Sequence, residues 1–178
     1  MAASREPIRS VDSPRAVPAT CPNVRAMIRS FRFSVQASAP RPAAEWRELG
    51  RRAEDLGYSA LSVRDHLDAD MAPLVALAVT AEATRDLRLT TLMLGNDFRH
   101  PLFLAKQAAT LDLLSDGRLE LGLGAGWKTA AYAQSGLALD PPGVRIARLA
   151  ESVEILKRCF AEGSFACDGE HYPVRGHD

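Results

Sequence analysis

An α/β fold with a parallel sheet is predicted by three observations. Segments rich in β-formers begin at Phe31, Ala60, Leu87 and Arg118, roughly thirty residues apart, which is the size of one strand–helix unit. Apolar residues at helical spacing, or a proline placed to open a helix, follow the first three of them. Glycine or Asp-Gly stands where helices should stop. Strands that alternate with helices in this way pair in parallel, because each helix carries the chain back to the same end of the sheet.

The elements follow in order. Phe31 to Ala37 alternates apolar and polar side chains and reads as the first strand. Pro42 precedes Trp46, Leu49, Ala53 and Leu56, which share one helical face, and Gly57 ends that helix. Ala60 to Asp65 is a short second strand. Met71 to Arg85 is a helix with Pro73 near its start, where a missing N–H costs nothing. Leu87 to Leu94 is an apolar, Thr-rich third strand, and Pro101 opens a helix to about Leu114. Asp116-Gly117 turns the chain into a fourth strand, Arg118 to Leu123. Ile146, Leu149, Val153, Leu156 and Phe160 then form one apolar stripe on a helix of about eighteen residues ended by Gly163, suited to packing on the sheet. Residues 165–178 read as irregular.

Residues 1–30 differ. Pro7, Pro14, Pro18 and Pro22 fall among scattered Ser and Arg without apolar periodicity, so a flexible arm is expected ahead of a single domain at 31–178. The arm has no continuous apolar segment of the kind a secretory signal needs. Translation from Met27, just ahead of the first strand, is as good a reading as translation from Met1.

Composition bounds the function. Of 178 residues, 47% are hydrophobic and 25% charged, enough apolar content for a core. Basic and acidic residues balance at 22 each, so nothing supports a nucleic-acid partner. No apolar run approaches the roughly 18–20 residues of a membrane span. Three cysteines without paired spacing argue against a disulfide scaffold and for a reducing, cytoplasmic setting. His66, His100, His171 and His177 lack metal-ligand spacing, and no metal is expected.

Three segments could carry chemistry, each at the carboxyl end of a strand, where parallel α/β folds bind ligands. Arg64-Asp65-His66 offers a proton-handling His beside a carboxylate, or a solvated polar turn. Gly122-Leu123-Gly124-Ala125-Gly126-Trp127 gives a ligand close access to backbone, or makes a tight turn with a packed Trp. It is not a dinucleotide fingerprint, because Trp127 stands at the third glycine. Gly95-Asn96-Asp97-Phe98-Arg99-His100-Pro101 places Arg99 and His100 where they could face an anion, although a plain turn and helix start explain each residue taken singly.

Together these segments resemble the luciferase-like monooxygenase family, in particular its deazaflavin (coenzyme F420)-dependent oxidoreductases. RRAEDLGYSALSVRDHL, LRLTTLMLGNDFRHPLFLAKQAATLDLLSDGRLELGLGAGW and PPGVRIARLAESVEILKRCF carry the likeness, from about residue 31 to 174. The resemblance implies a (β/α)8 TIM barrel, with F420 or alternatively FMN across the carboxyl ends of its strands, acting on a small organic substrate by hydride or oxygen transfer. It implies His66 as the proton-handling residue with Asp65 in support. It implies cofactor contacts from Gln36, Leu92, Met93, Leu94, Gly95, Asn96, Gly124, Ala125, Gly126 and Trp127, with a non-prolyl cis peptide near residues 92–94.

Two departures qualify the likeness. The sugar-phosphate dehydrogenase branch has a Glu where Trp127 stands, and relatives with Gly-Trp often have one at the position of Ala131. A barrel of this kind takes about 250 residues, and roughly 148 follow the arm. The expectation is therefore the N-terminal half of a barrel, about four strands with two open edges and an apolar inner face. Such a unit would pair as a homodimer or with a complementary half. The rival expectation is a truncated, non-catalytic half barrel that serves as an interaction subunit.

Overall fold

A computed structural model describes residues 31–68, 70–161 and 164–176. The expected arm at 1–30, and with it the question of the start codon, lies outside the described residues. The elements are β1 (Ser34–Gln36), α1 (Ala43–Asp55), β2 (Ala60–Val63), α2 (Pro73–Ala83), β3 (Arg88–Thr91), β4 (Leu94–Gly95), a 3-10 turn (Asn96–Phe98), α3 (Pro101–Leu114), β5 (Leu119–Glu120), β6 (Leu123–Gly124), α4 (Thr129–Ser135) and α5 (Pro142–Ala161). The sheet is parallel in the order β1-β2-β3-β5, and β4 pairs in parallel with β6. This is the architecture of half a (β/α)8 barrel.

One face of the sheet seals against the helices. Val35, Leu61, Val63, Leu89 and Leu119 meet Trp46, Ala53, Ala76, Leu77, Ala81 and Leu111 in one cluster. Each such large apolar side chain contributes about 1.5–3 kcal/mol by leaving water. Trp46 also satisfies its indole N–H inside the core, donating to Ala76 O at 2.8 Å and to Thr80 Oγ1 at 3.0 Å. The α1–α2 contact is close at Gly50, where a Cβ would press on Thr80 Cγ2 at 3.1 Å.

The other, concave face departs from expectation. It carries Ser34, Gln36, Ala60, Ser62, Arg88, Thr90 and Glu120, in alternation with the core residues, and is mainly polar. Arg32 and Arg88 donate to Glu120 Oε1 at 2.7 and 2.6 Å. Arg32 precedes β1 and Glu120 closes β5, the two outer strands of the four-stranded order, so this bond spans the face from edge to edge. The expected apolar interior is therefore corrected. The period-2 pattern that builds the core leaves polar residues for the inside of the curve.

Three further differences concern boundaries. The third and fourth strands each break in two: a cis Leu92–Met93 peptide lies between β3 and β4, and β4 pairs with β6. The helix α4 was not anticipated. TAAYAQS is too short to show a period, and its stop signal was Gly136, which adopts a left-handed φ of 72°. Helix α5 begins at Pro142, earlier than its apolar stripe, and its expected end at Gly163 lies outside the described residues. Within the tail expected to be irregular, Cys167 and Val174 form an antiparallel bridge.

Candidate functional site

The carboxyl ends of the strands converge on a cavity of about 290 Å³. Asp65 and His66 line it after β2, and Leu92, Met93, Leu94, Gly95 and Phe98 after β3. Gly124, Gly126, Trp127, Lys128, Ala131 and Tyr132 complete it after β6. Its volume falls just below the roughly 300–1,000 Å³ typical of small-molecule sites. Leu92, Met93 and Trp127 stay about half exposed or more at its mouth, an apolar cost that a soluble fold accepts where something flat will cover it.

Each wall has a local cause. Asp65 leaves β2 with its carboxylate turned to Arg99, whose two Nη atoms grip both of its oxygens, one at 2.8 Å. The same carboxylate accepts the Gly95 N–H at 2.9 Å. Asp65 thus ties the β2 loop to the β3 loop, acting on the segment that carries His66 and not bonding the histidine itself. The carboxylate beside His66 is Asp70, with Oδ2 at 3.3 Å from His66 Nδ1. The Asp70 side chain is 2% exposed and its other oxygen accepts from Arg64 Nη2 at 2.9 Å. Oδ2 has no hydrogen-bond partner among the described residues, and His66 Nδ1 is the nitrogen it faces. The His66 and Trp127 rings stand edge-on with centroids 6.3 Å apart. Lys128 Nζ reaches across the rim to Asp68 Oδ2 at 2.6 Å, and that hydrogen bond holds the Asp68 carboxyl below its ordinary pKa.

The glycine loop is built for close approach. A Cβ on Gly122 would strike the Thr91 carbonyl, and one on Gly126 the Tyr132 hydroxyl. Gly126 also has a φ of 78°. Tyr132 is buried and donates to Asp97 Oδ2 at 2.9 Å; burial first, then that bond, pushes its pKa up to about 12. It therefore stays protonated at neutral pH and acts as a post.

Not every expected contact lines this cavity. Gln36 is exposed on the edge strand β1, Asn96 turns inward to donate to Tyr172 Oη at 3.1 Å, and the Ala125 side chain is absent from the wall. Arg99 and His100 do not await an anion from outside. Arg99 is spent on Asp65, and His100 Nδ1 accepts from Leu102 N at the start of α3. Reading the sequence missed Asp70, Phe98, Lys128 and Tyr132. Phe98 belonged to a flagged turn, whereas nothing local distinguishes Asp70 or Tyr132. No group of three or more His, Cys, Asp or Glu among the described residues could hold a metal, and no described helix is long and apolar enough to cross a membrane.

The family model for luciferase-like monooxygenases matches residues 26–178. The chain belongs to that family. It is 33% identical over 157 residues to an F420-dependent glucose-6-phosphate dehydrogenase of Kribbella flavida, covering 82% of this chain and 46% of that protein. It is 35% identical over 119 residues to the 4-hydroxyprotoasukamycin monooxygenase of Streptomyces nodosus subsp. asukaensis, covering 64% of this chain and 31% of that one. Among solved structures, monooxygenase RslO1 from Streptomyces bottropensis superposes with a TM-score of 0.70 at 27% identity, over 81% of this chain and 48% of that one. The coenzyme F420-dependent tetrahydromethanopterin reductase of Methanopyrus kandleri shares the fold, with a TM-score of 0.71 at 24% identity, over 80% and 44%. The chain spans about half the length of the curated relatives it matches or less.

Proposed function

We propose that this unit binds the flat ring system of F420, or alternatively FMN, and serves an oxidoreductase acting on a small organic substrate by hydride or oxygen-atom transfer. The observation that carries the reading is the cavity itself. A half-exposed apolar ledge at Leu92 and Met93 lies beside Gly95, Gly124 and Gly126, with Trp127 and His66 next to it. Such a surface fits a planar ring better than a flexible chain or an ion. A bound flavin or deazaflavin supplies two-electron redox chemistry that no side chain here has.

The chain's own residues divide the remaining work. Leu92, Met93, Gly95, Gly124 and Trp127 bind and orient the ring and keep water off one side of it. His66 handles a proton through Nε2 while Nδ1 faces the Asp70 carboxylate. Asp65 and Arg99 hold the two loops at their spacing. Among the described residues β1 and β5 each have a neighbour on one side only, so strands from outside them, for example from a second copy or a complementary half, would complete the unit. A cytoplasmic setting suits this chemistry.

The test is a fluorescence titration of the purified chain with F420, with FMN in parallel. Saturable binding tighter than about 100 μM, lost on mutating Trp127 and His66, supports the reading. A folded sample that binds neither overturns it and favours the interaction-subunit alternative.

A further inference from the structure

The start of α5 makes a closed ring of interactions with the back of the glycine loop. Arg145 Nε donates to Asp140 O at 2.8 Å. Its Nη1 donates to Ala125 O at 3.2 Å and also to Gly126 O, and its charge acts on the Tyr132 hydroxyl, pulling that pKa down against burial and Asp97. Tyr132 Oη donates to Asp97 Oδ2, and Asp97 Oδ1 lies 3.0 Å from Arg148 Nη1. Arg148 pairs with the Asp140 carboxylate, which returns to Arg145 through the Asp140 carbonyl. Asp97 is 4% and Arg148 20% exposed at the side chain, so the ring is largely withdrawn from water.

We infer that Arg145 is a positioning residue for the cofactor cradle, acting through Ala125, Gly126 and Tyr132 on the placement of Trp127. Three points lead there. Arg145 holds two successive carbonyls of the loop that carries Trp127, yet it does not line the cavity. Two arginines face two carboxylates, so the ring has no spare charge with which to recruit a ligand. Trp127 is 74% exposed, with the His66 ring edge-on to it, so where its ring sits depends on where the loop backbone is held. A support of this kind keeps a site within the fraction of an ångström that binding requires.

The proposal deepens the cofactor reading for F420 and rests on it, but its first readout needs no cofactor. In the unliganded chain, the emission anisotropy of Trp127 is obtained by subtracting the signal of the Trp127→Phe protein, which retains buried Trp46. Arg145→Ala is expected to lower that anisotropy and to weaken F420 binding about tenfold or more, as small misplacements do. Arg145→Lys should recover part of both, and Arg51→Ala, on the exposed side of α1, should change neither. Tyr132→Phe opens the ring at a second point without removing a charge and should move both readouts the same way. A folded Arg145→Ala protein with parental anisotropy and parental affinity overturns the proposal. If Arg145→Ala does not fold, an unchanged Tyr132→Phe protein overturns it instead. If the parent binds neither F420 nor FMN, the cofactor reading fails, and the anisotropy alone decides whether Arg145 sets the loop.

Discussion

The two ends of the strands are polar in different ways. At the amino end, Arg118 is 8% exposed and donates to Ser115 O and Ala81 O at 2.7 Å, to Thr84 Oγ1 at 2.9 Å and to Leu87 O at 3.1 Å. Nearby, Glu54 accepts three successive backbone N–H groups, from Arg85, Asp86 and Leu87. Each polar side chain there closes a turn of the chain. At the carboxyl end, Asp70 Oδ2 and Asn96 Oδ1 lack a hydrogen-bond partner among the described residues, and Leu92, Met93 and Trp127 stand half exposed or more. One end has spent its polar capacity on stability, and the other holds some in reserve. In a barrel fold that reserve marks the reactive end.

The largest effect should come from breaking the amino end. Arg118→Ala would remove the side-chain donor from three buried carbonyls, each worth about 1–3 kcal/mol when unsatisfied, while the Thr84 hydroxyl keeps its bond to Thr80 O. The expected loss is about 3 kcal/mol or more, a large part of the roughly 5–15 kcal/mol of a domain. Urea unfolding followed by circular dichroism measures it. A midpoint within error of the parent would remove the contrast between the two ends.

Trp127→Ala tests the other end and should give the opposite pattern. Stability should stay within about 0.5 kcal/mol of the parent, because the side chain is 74% exposed. Affinity for F420 or FMN should fall about tenfold or more, roughly 1.4 kcal/mol. Thermal melting and a cofactor titration on one preparation check both. A large drop in melting temperature would show that Trp127 belongs to the packing.

Much of this contrast was legible in the sequence, and the illegible part has a physical reason. Helices α1, α2 and α3 and the four strand positions announced themselves through periodicity, Pro42, Pro73, Pro101 and Gly57, because local propensity and burial agree there. The loops at the carboxyl ends were legible as loops. What the sequence could not assign was partnership. Asp65 is adjacent to His66 yet pairs with Arg99, thirty-four residues away, while Asp70 takes the histidine. Neighbours in an extended segment point to opposite sides, so adjacency predicts little about contact. The Arg118 network and the Arg145 ring, both made with distant carbonyls, were beyond reach for the same reason.

Glu54 offers a smaller and pH-dependent test. Burial pushes its carboxyl up, but the backbone donors from Asp86, Leu87 and Arg85 together outweigh that and hold it below the ordinary value. A carboxyl depressed in the folded state stabilises above its unfolded pKa of about 4.3, and that contribution is lost as pH falls through the folded value. Glu54→Gln keeps one acceptor and loses the charge, so it should cost about 1–2 kcal/mol at pH 7. The gap from the parent should close as acid protonates the parent's carboxylate. Urea midpoints measured from pH 7 down to pH 3 would show it, and a gap constant across that range would mean that shape, not charge, is what the site requires.

The smallest effect is expected on the concave face. The Arg32 bond first, against a burial that pushes the other way, and then that from Arg88 hold the Glu120 carboxyl below its ordinary pKa. Both bonds lie partly open to water, with Glu120 28% exposed and Arg32 59%. Water and salt screen such pairs, so Glu120→Gln should cost no more than about 1 kcal/mol at low ionic strength and less at high salt. The comparison sharpens if the cost proves larger and insensitive to salt. A salt-proof Glu120 would be shielded from water in solution, which the isolated unit does not do. That result would show the polar inner face to be covered by further strands, with Arg32, Arg88 and Glu120 forming a buried layer inside a closed barrel. Thermal melting of the parent and of Glu120→Gln at 0.05 and 1 M salt, where the screening length falls from about 14 to 3 Å, separates the two cases.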